Sequence, residues 1–91
     1  MLTGKEKRAL RAQGNRTVAE VHVGKAGVTP GLLHNIDNAL STKELVKIKI
    51  LRSCPQEKEE VARHISNALA AEVVQILGRT ILVYRPLPEE E

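Results

Sequence analysis

Two glycines separated by two residues interrupt the segment "VHVGKAGVTP" at residues 21–30. The loop consists of Gly24, Lys25, Ala26 and Gly27. Because glycine has no Cβ, the backbone here can adopt positive φ and lie directly against a ligand. Consecutive amides of such a loop, the amides at the start of a following helix and the Lys25 ammonium can converge on an anion. The pattern indicates phosphate binding, and the alternative is a plain tight connection between two elements.

The spacing of the loop differs from three established phosphate-binding or nucleic-acid-binding motifs. In a nucleotide-binding P-loop the lysine follows the last glycine, whereas Lys25 lies between the glycines. A dinucleotide fingerprint needs a third glycine and an acidic residue after a second strand, and the sequence has neither. The GxxG of a KH domain joins two helices, whereas this one follows a predicted strand. The loop therefore predicts a KH-like grip on a nucleic-acid backbone, in a different fold.

Positive charge supports a polyanionic partner. The chain has 14 basic and 11 acidic residues, for a formal net charge of +3. Residues 89–91 are all glutamate and are expected to form an acidic disordered tail, so residues 1–88 carry +6. The predicted first helix carries four basic residues, the last three at helical spacings of three and four: Lys5, Lys7, Arg8 and Arg11. This bias favours nucleic acid, and the alternative is a solubilising surface.

A second basic track is predicted on a strand. The segment "ELVKIKI", residues 44–50, alternates strictly, with valine and isoleucine on one face and Lys47 and Lys49 on the other. The two lysines could extend the basic surface towards the glycine loop. An ordinary solvated strand face is the alternative.

Residue types that would indicate catalysis or metal binding do not form a constellation. His22, His34 and His64 lack metal-ligand spacing, and Cys54 is the single cysteine. We therefore predict no enzyme, no metal, no cofactor and no small-molecule substrate. The chain has no Phe or Trp and one tyrosine, Tyr84, so it lacks a platform for stacking bases. Phosphates and the shape of a folded RNA are more plausible targets than a base sequence.

Seven elements position these residues, in the order α-β-α-β-α-β-β. Helix and strand patterns alternate along the chain, which predicts an α/β or α+β domain with right-handed crossovers and a mixed four-stranded sheet. The strand at residues 81–84 is apolar on both faces and is predicted to be central. The first strand is predicted at residues 18–23, and the last two flank a hairpin turn at Gly78-Arg79.

Capping signals predict where the helices begin and end. Thr3 and Glu6 have the spacing of a capping box, and Gly14 is predicted to end the first helix in a left-handed conformation. Thr29 followed by proline predicts the start of the second helix. Ser53, two residues before a proline, predicts the start of the third.

Length and composition indicate one domain, at residues 1–88. The amino terminus has no stretch of signal-peptide character, and nowhere do about 18 apolar residues run together. We therefore expect a cytoplasmic protein without membrane contact, and a monomer.

Four segments together resemble a known family: "LTGKEKRALR", "VGKAGVTPGLL", "ELVKIKI" and "VVQILGRTILVYRP". Over roughly residues 2–86 the chain is similar to the stand-alone bacterial YhbY-like proteins, the single-domain form of the CRM domain (chloroplast RNA splicing and ribosome maturation). The resemblance implies a two-layer fold like the C-terminal domain of bacterial translation initiation factor three. It also implies strand order 1-2-4-3, with the fourth strand antiparallel to the others.

The same resemblance implies an RNA-binding protein that associates with ribosomal RNA in precursors of the large (50S) subunit and acts in ribosome assembly. It assigns the family's GxxG loop to Gly24–Gly27 and its basic first helix to the lysines and arginines of residues 5–11. Two other functions remain open from the sequence: a protein–protein adaptor on the ribosome, and an architectural protein that coats DNA or RNA.

Overall fold

The computed structural model describes residues 2–87, which form one sheet and three helices. In chain order the elements are α1 (Gly4–Gly14), β1 (Val21–Val23), α2 (Pro30–Lys43), β2 (Leu45–Ile50), α3 (Lys58–Leu69), β3 (Glu72–Leu77) and β4 (Thr80–Tyr84). The strands lie in the order β1-β2-β4-β3, with β1 parallel to β2 and β4 antiparallel to both neighbours. The predicted α+β fold, mixed sheet and strand order are confirmed. The expected acidic tail, residues 89–91, lies outside the described residues.

One face of the sheet packs against α2 and α3 and carries the main core. The alternation predicted for β2 is confirmed, since Val46 and Ile48 are fully buried and Lys49 is exposed. β4 lies between β2 and β3 and is buried on both faces, as its continuous apolar run predicts. Its Ile81 belongs to the main core and its Leu82 to a smaller cluster on the other face. Within residues 2–87, no helix has the length and apolar character needed to cross a membrane.

α1 covers part of the opposite face, where Leu2 and Leu10 pack against the smaller cluster. The prediction that Gly14 ends α1 in a left-handed conformation is wrong. α1 includes Gly14, and its cap residue Asn15 has a right-handed φ of −63°. A Cβ atom at residue 14 would lie 2.5 Å from Leu82 Cδ2. Any side chain at this position would therefore require Leu82 to shift, because the helix end approaches β4 closely.

The caps predicted for α1 and α2 are confirmed. Thr3 Oγ1 accepts from the Glu6 amide at 3.1 Å, and Glu6 Oε1 accepts from the Thr3 amide at 3.1 Å. The hydrogen bond that the Glu6 carboxylate accepts from the Thr3 amide lowers the pKa of Glu6 from its ordinary value of 4.5, and the interaction of the carboxylate with the Thr3 hydroxyl lowers it further. At α2, Thr29 Oγ1 accepts from the Leu32 amide at 3.1 Å, and Pro30 is the first helical residue.

α3 begins later than the sequence predicts. Ser53 does not cap it: the helix starts at Lys58, and Glu57 at the cap position makes no side-chain hydrogen bond to the helix. Residues 51–57 form an irregular connection between β2 and α3. The Cys54 amide donates to the Leu51 carbonyl at 3.0 Å, so the chain turns before the helix, and the Gln56 side chain bonds to the Val28 amide in the loop before α2. Local capping patterns do not encode such a contact.

β1 is shorter than the predicted strand at residues 18–23. It spans Val21–Val23, and Val18 is 84% exposed. The Thr17 amide donates to the Gly14 carbonyl at 3.0 Å, so the chain is still turning after α1 and joins the sheet late.

The hairpin between β3 and β4 has the predicted geometry. Gly78 has a φ of +58°, and Arg79 is not among the residues with positive φ. These signs match a type II′ turn, in which glycine is favoured at the first central position.

Candidate nucleic-acid interface

Three loops meet at one end of the sheet. β1 and β2 end side by side, because Val23 pairs with Ile50 in their parallel register. The β3–β4 turn lies at the same end, since the Ile50 amide donates to the Arg79 carbonyl at 2.7 Å. The predicted phosphate-binding loop, residues 24–27, therefore lies in the same region as the β2–α3 loop, residues 51–57, and the hairpin turn.

Residues 24–27 form a tight turn with an exposed tip. The Gly27 amide donates to the Gly24 carbonyl at 2.9 Å. Neither Lys25 nor Ala26 has a positive φ, as in a type I turn, whereas Gly27 has a φ of +68°. Lys25 and Ala26 are exposed and Gly27 is buried. A ligand can therefore reach the two residues between the glycines.

The two glycines serve different purposes. A Cβ atom at residue 24 would make ordinary contacts, the nearest with Leu51 Cδ1 at 3.6 Å. A Cβ atom at residue 27 would lie 2.7 Å from Gln56 Oε1, and the left-handed φ there also disfavours a side chain. Gly27 therefore allows the Gln56 side chain to pack against the turn. Residue 24, in contrast, has room for a Cβ atom.

The Gln56 side chain stabilises the loop through hydrogen bonds. Its Oε1 accepts from the Val28 amide at 3.0 Å, and its Nε2 donates to Glu60 Oε1 at 3.3 Å. One side chain thus links the loop before α2 to the first turn of α3. Sequence patterns did not identify Gln56, because its partner Val28 is 28 residues away and a half-buried glutamine has no distinctive periodicity.

Hydrogen bonds within the protein determine which amides can bind an anion. The Val28 amide is bonded to Gln56, Pro30 has no amide hydrogen, and the Leu32 amide is bonded to the helix cap. Within residues 2–87, the amides of Lys25 and Ala26 have no protein acceptor. The exposed part of the turn therefore offers a ligand its two tip amides and the Lys25 ammonium.

The basic residues of α1 lie on the sheet face opposite the main core, extending away from the turn. α1 starts at the far end of the sheet, where the Leu2 amide donates to Glu72 Oε2 at 3.0 Å and Glu72 pairs with Tyr84. Among the four predicted residues, Lys5 and Arg8 are exposed, whereas Lys7 and Arg11, which are four residues apart and so share one side of the helix, are half-buried. The charges of α1 and the turn therefore do not form one compact cluster.

The two lysines of β2 have different surroundings. Lys49 is exposed and pairs with His22 and Thr80, one residue before the strand end at which the turn lies. Lys47 is half-buried, and its Nζ donates to the Gly14 carbonyl at 3.3 Å. The structure thus brings Lys49 close to the turn and uses Lys47 to anchor the end of α1.

Two further cations are ion-paired. Lys43 Nζ lies 2.6 Å from Glu20 Oε2. Arg85 Nη1 lies 2.7 Å from Asp37 Oδ1 and donates to the Leu69 carbonyl at 3.0 Å. Arg85 therefore joins β4 to α2 and α3, and its charge is already compensated.

The described residues contain neither a stacking platform nor a metal cluster. Tyr84 is half-buried, and its hydroxyl donates to Glu44 Oε2 at 3.5 Å. Burial raises the pKa of Tyr84, and the Glu44 carboxylate raises it further. Within residues 2–87, no three histidine, cysteine or acidic residues are grouped so that they could hold a metal ion.

Comparison with known proteins identifies the class to which this fold and turn belong. The family model for the CRS1 / YhbY (CRM) domain matches residues 2–85. The chain belongs to this family, and the resemblance found in the sequence is confirmed.

Two relatives and one solved structure align with this chain along most of their own length. "Probable RNA-binding protein YqeI" of Bacillus subtilis is 35% identical over 91 residues, covering 100% of this chain and 95% of that protein. A Haemophilus influenzae protein named "RNA-binding protein" is 32% identical over 88 residues, covering 97% of this chain and 89% of its own. The solution structure of the hypothetical protein SAV1595 from Staphylococcus aureus is similar with a TM-score of 0.82 and 35% identity, covering 100% of this chain and 95% of that one.

Proposed function

We propose that the protein binds RNA through its sugar–phosphate backbone. The observation that carries this proposal is the exposed turn at residues 24–27, whose tip amides lack a protein acceptor within residues 2–87 and lie beside the Lys25 ammonium. Backbone amides and lysine are donors that proteins direct at the phosphates of nucleic acids. Two relatives named as RNA-binding proteins support RNA as the ligand.

The turn is held in shape before any ligand arrives. The hydrogen bond from the Gly27 amide to the Gly24 carbonyl closes it. The Gln56 side chain accepts from the Val28 amide, directly after the turn. A loop that is already ordered loses less conformational entropy on binding than a flexible one, so more of the phosphate interaction contributes to affinity.

The proposed surface continues along the sheet face that carries α1. Lys49 lies nearest the turn, and the exposed Lys5 and Arg8 lie towards the other end. β2 has six residues, which at about 3.3 Å each separate its ends by roughly 20 Å. A surface of this length suits several phosphates of one RNA. Lys7 and Arg11 contribute from the edge of the helix, and Lys47 acts mainly by positioning α1.

Recognition in this proposal depends on backbone geometry and RNA shape. Tyr84, the single aromatic residue of the chain, is half-buried at the far end of β4. Proteins that read unpaired bases usually stack them on exposed aromatic rings. The described surface offers amides and cations instead, which contact phosphates.

The RNA in this proposal is ribosomal RNA of large-subunit precursors. The protein would act in the cytoplasm as a monomeric, non-enzymatic assembly factor. Its membership of the CRM family supports this role by analogy of fold. Sedimentation of a cell lysate on a sucrose gradient tests it: the protein should accompany particles lighter than the mature large subunit. Its presence only in mature ribosomes or free fractions would contradict an assembly role.

RNA binding itself is tested by filter binding with purified large-subunit ribosomal RNA. The wild-type protein should bind this RNA more tightly than duplex DNA at one salt concentration, and Lys25→Glu should weaken binding. Equal affinity for duplex DNA would favour an architectural protein. Binding to purified ribosomal proteins without binding to the RNA would favour an adaptor.

A further inference from the structure

A second cationic surface lies next to the turn. The β2–α3 loop and the β3–β4 hairpin enclose an open cleft of about 440 Å³, whose walls include Arg52, Lys58 and Arg79. Arg52 and Arg79 are exposed, and Lys58 is half-buried. The sequence did not bring these residues together, because the hairpin arginine lies 27 positions after Arg52 and joins it only through the strand pairing.

The charges of the cleft are available to a ligand. Among residues 2–87, Glu57 is the one carboxylate in its lining, against three cations. Within residues 2–87, no carboxylate oxygen lies within 4.0 Å of the charged nitrogens of Arg52, Lys58 or Arg79, in contrast to the paired Arg85. The cleft therefore presents an uncompensated positive charge.

A single stretch of chain separates the cleft from the turn. Gln56 lines the cleft, and its Oε1 accepts from the Val28 amide directly after the turn. Pro55 also lines the cleft and lies against the turn. Its Cγ is 3.7 Å from the position that a Cβ atom on Gly27 would occupy. The cleft therefore lies next to the turn, separated from it by the side chains of Pro55 and Gln56.

We infer that the cleft binds the phosphate backbone of the same RNA strand, next to the phosphate held at residues 24–27. Arg52 and Arg79 would donate to phosphate oxygens, since the planar guanidinium offers two parallel hydrogen bonds to such a group. Lys58 adds a point charge. This inference rests on the proposed function, and it extends the contact to the hairpin side of the molecule, away from α1.

The test compares two double variants. The cleft variant is Arg52→Gln/Arg79→Gln, and the control variant, Lys43→Gln/Arg63→Gln, removes two positive charges from residues outside the cleft. Arg63 is exposed on α3 and lies outside both proposed contact regions. Binding of large-subunit ribosomal RNA is measured by filter binding between 50 and 200 mM salt. The slope of log affinity against log salt is negative. Loss of two phosphate contacts should make it less negative by about 1.4 to 1.8 in the cleft variant. The control variant should keep nearly the wild-type slope.

The outcomes distinguish this inference from the proposed function. An unchanged slope in the cleft variant, or an equal loss in the control, would overturn the inference. If the cleft variant behaves as wild type while Lys25→Glu is impaired, the turn remains a binding site and the cleft is not one. Failure of the wild-type protein to bind RNA would overturn both proposals. The cleft variant should fold normally, because both arginines are exposed and the hairpin hydrogen bond uses the Arg79 backbone.

Discussion

Replacing Gly27 by alanine should destabilise the protein, and the structure allows the magnitude to be worked out. An L residue in the left-handed region costs about 1–2 kcal/mol. The new Cβ would lie 2.7 Å from Gln56 Oε1, so the hydrogen bond to the Val28 amide must lengthen or break, which costs about 0.5–1.5 kcal/mol. The reduced entropy of the unfolded chain offsets about 0.4–1 kcal/mol. The net loss in unfolding free energy is about 2 kcal/mol.

Urea denaturation followed by far-ultraviolet circular dichroism measures this loss, and Gly24→Ala is the matched control. The control should change stability by less than about 0.5 kcal/mol, because residue 24 has room for a Cβ and no positive φ. In the double variant Gly27→Ala/Gln56→Ala the clash is absent, so its cost should be smaller than the sum of the single costs by roughly 1 kcal/mol. Strict additivity, or equal effects of the two glycine substitutions, would refute the assignment of different roles to them.

Three further substitutions test other parts of the fold. Ala70 ends α3 with a φ of 52° and a ψ of 40°, so Ala70→Gly should raise the unfolding free energy by about 0.5–1 kcal/mol, and an unchanged melting temperature would contradict this. Gly14→Ala should lower it by about 1–3 kcal/mol through the contact with Leu82, whereas a stabilised variant would indicate an ordinary helix position. Because the pKa of Glu6 is lowered in the folded state, its contribution is present above pH 4.5 and lost as pH falls through the folded pKa. Acid titration of Glu6→Gln should lack this component, and an unaltered profile would argue against the capping box.

Local patterns predict most of the helices and strands because the signals for these elements lie within a few residues, whereas the strand order followed from the family resemblance. Alternation identifies β2, since every second side chain of a strand faces the core. The caps at Thr3 and Thr29 satisfy amides within three residues. The glycine at position 78 supplies the positive φ of a two-residue hairpin. Each signal lies within a few residues of its effect.

Features that depend on contacts distant in sequence were missed. The sequence predicts a left-handed cap at Gly14, but what disfavours a side chain there is the contact with Leu82 on β4. The sequence predicts the start of α3 too early, at Ser53 rather than Lys58, and the bond between Gln56 and Val28 has no local signature. The tip of the candidate site, Lys25 included, could be identified from the sequence as a glycine-flanked turn. The hydrogen bond from the Val28 amide to Gln56 and the neighbouring cleft could be identified only from the folded structure.

Above all, we propose that the exposed turn at residues 24–27 binds the RNA backbone. The most direct measurement is the slope of log affinity against log salt for large-subunit ribosomal RNA, with Lys25→Gln compared with Lys43→Gln. Lys43 already pairs with Glu20, so its loss should leave the slope unchanged. Loss of one phosphate contact at Lys25 should make the slope less negative by about 0.7 to 0.9. Identical slopes for Lys25→Gln and wild type would contradict the claim.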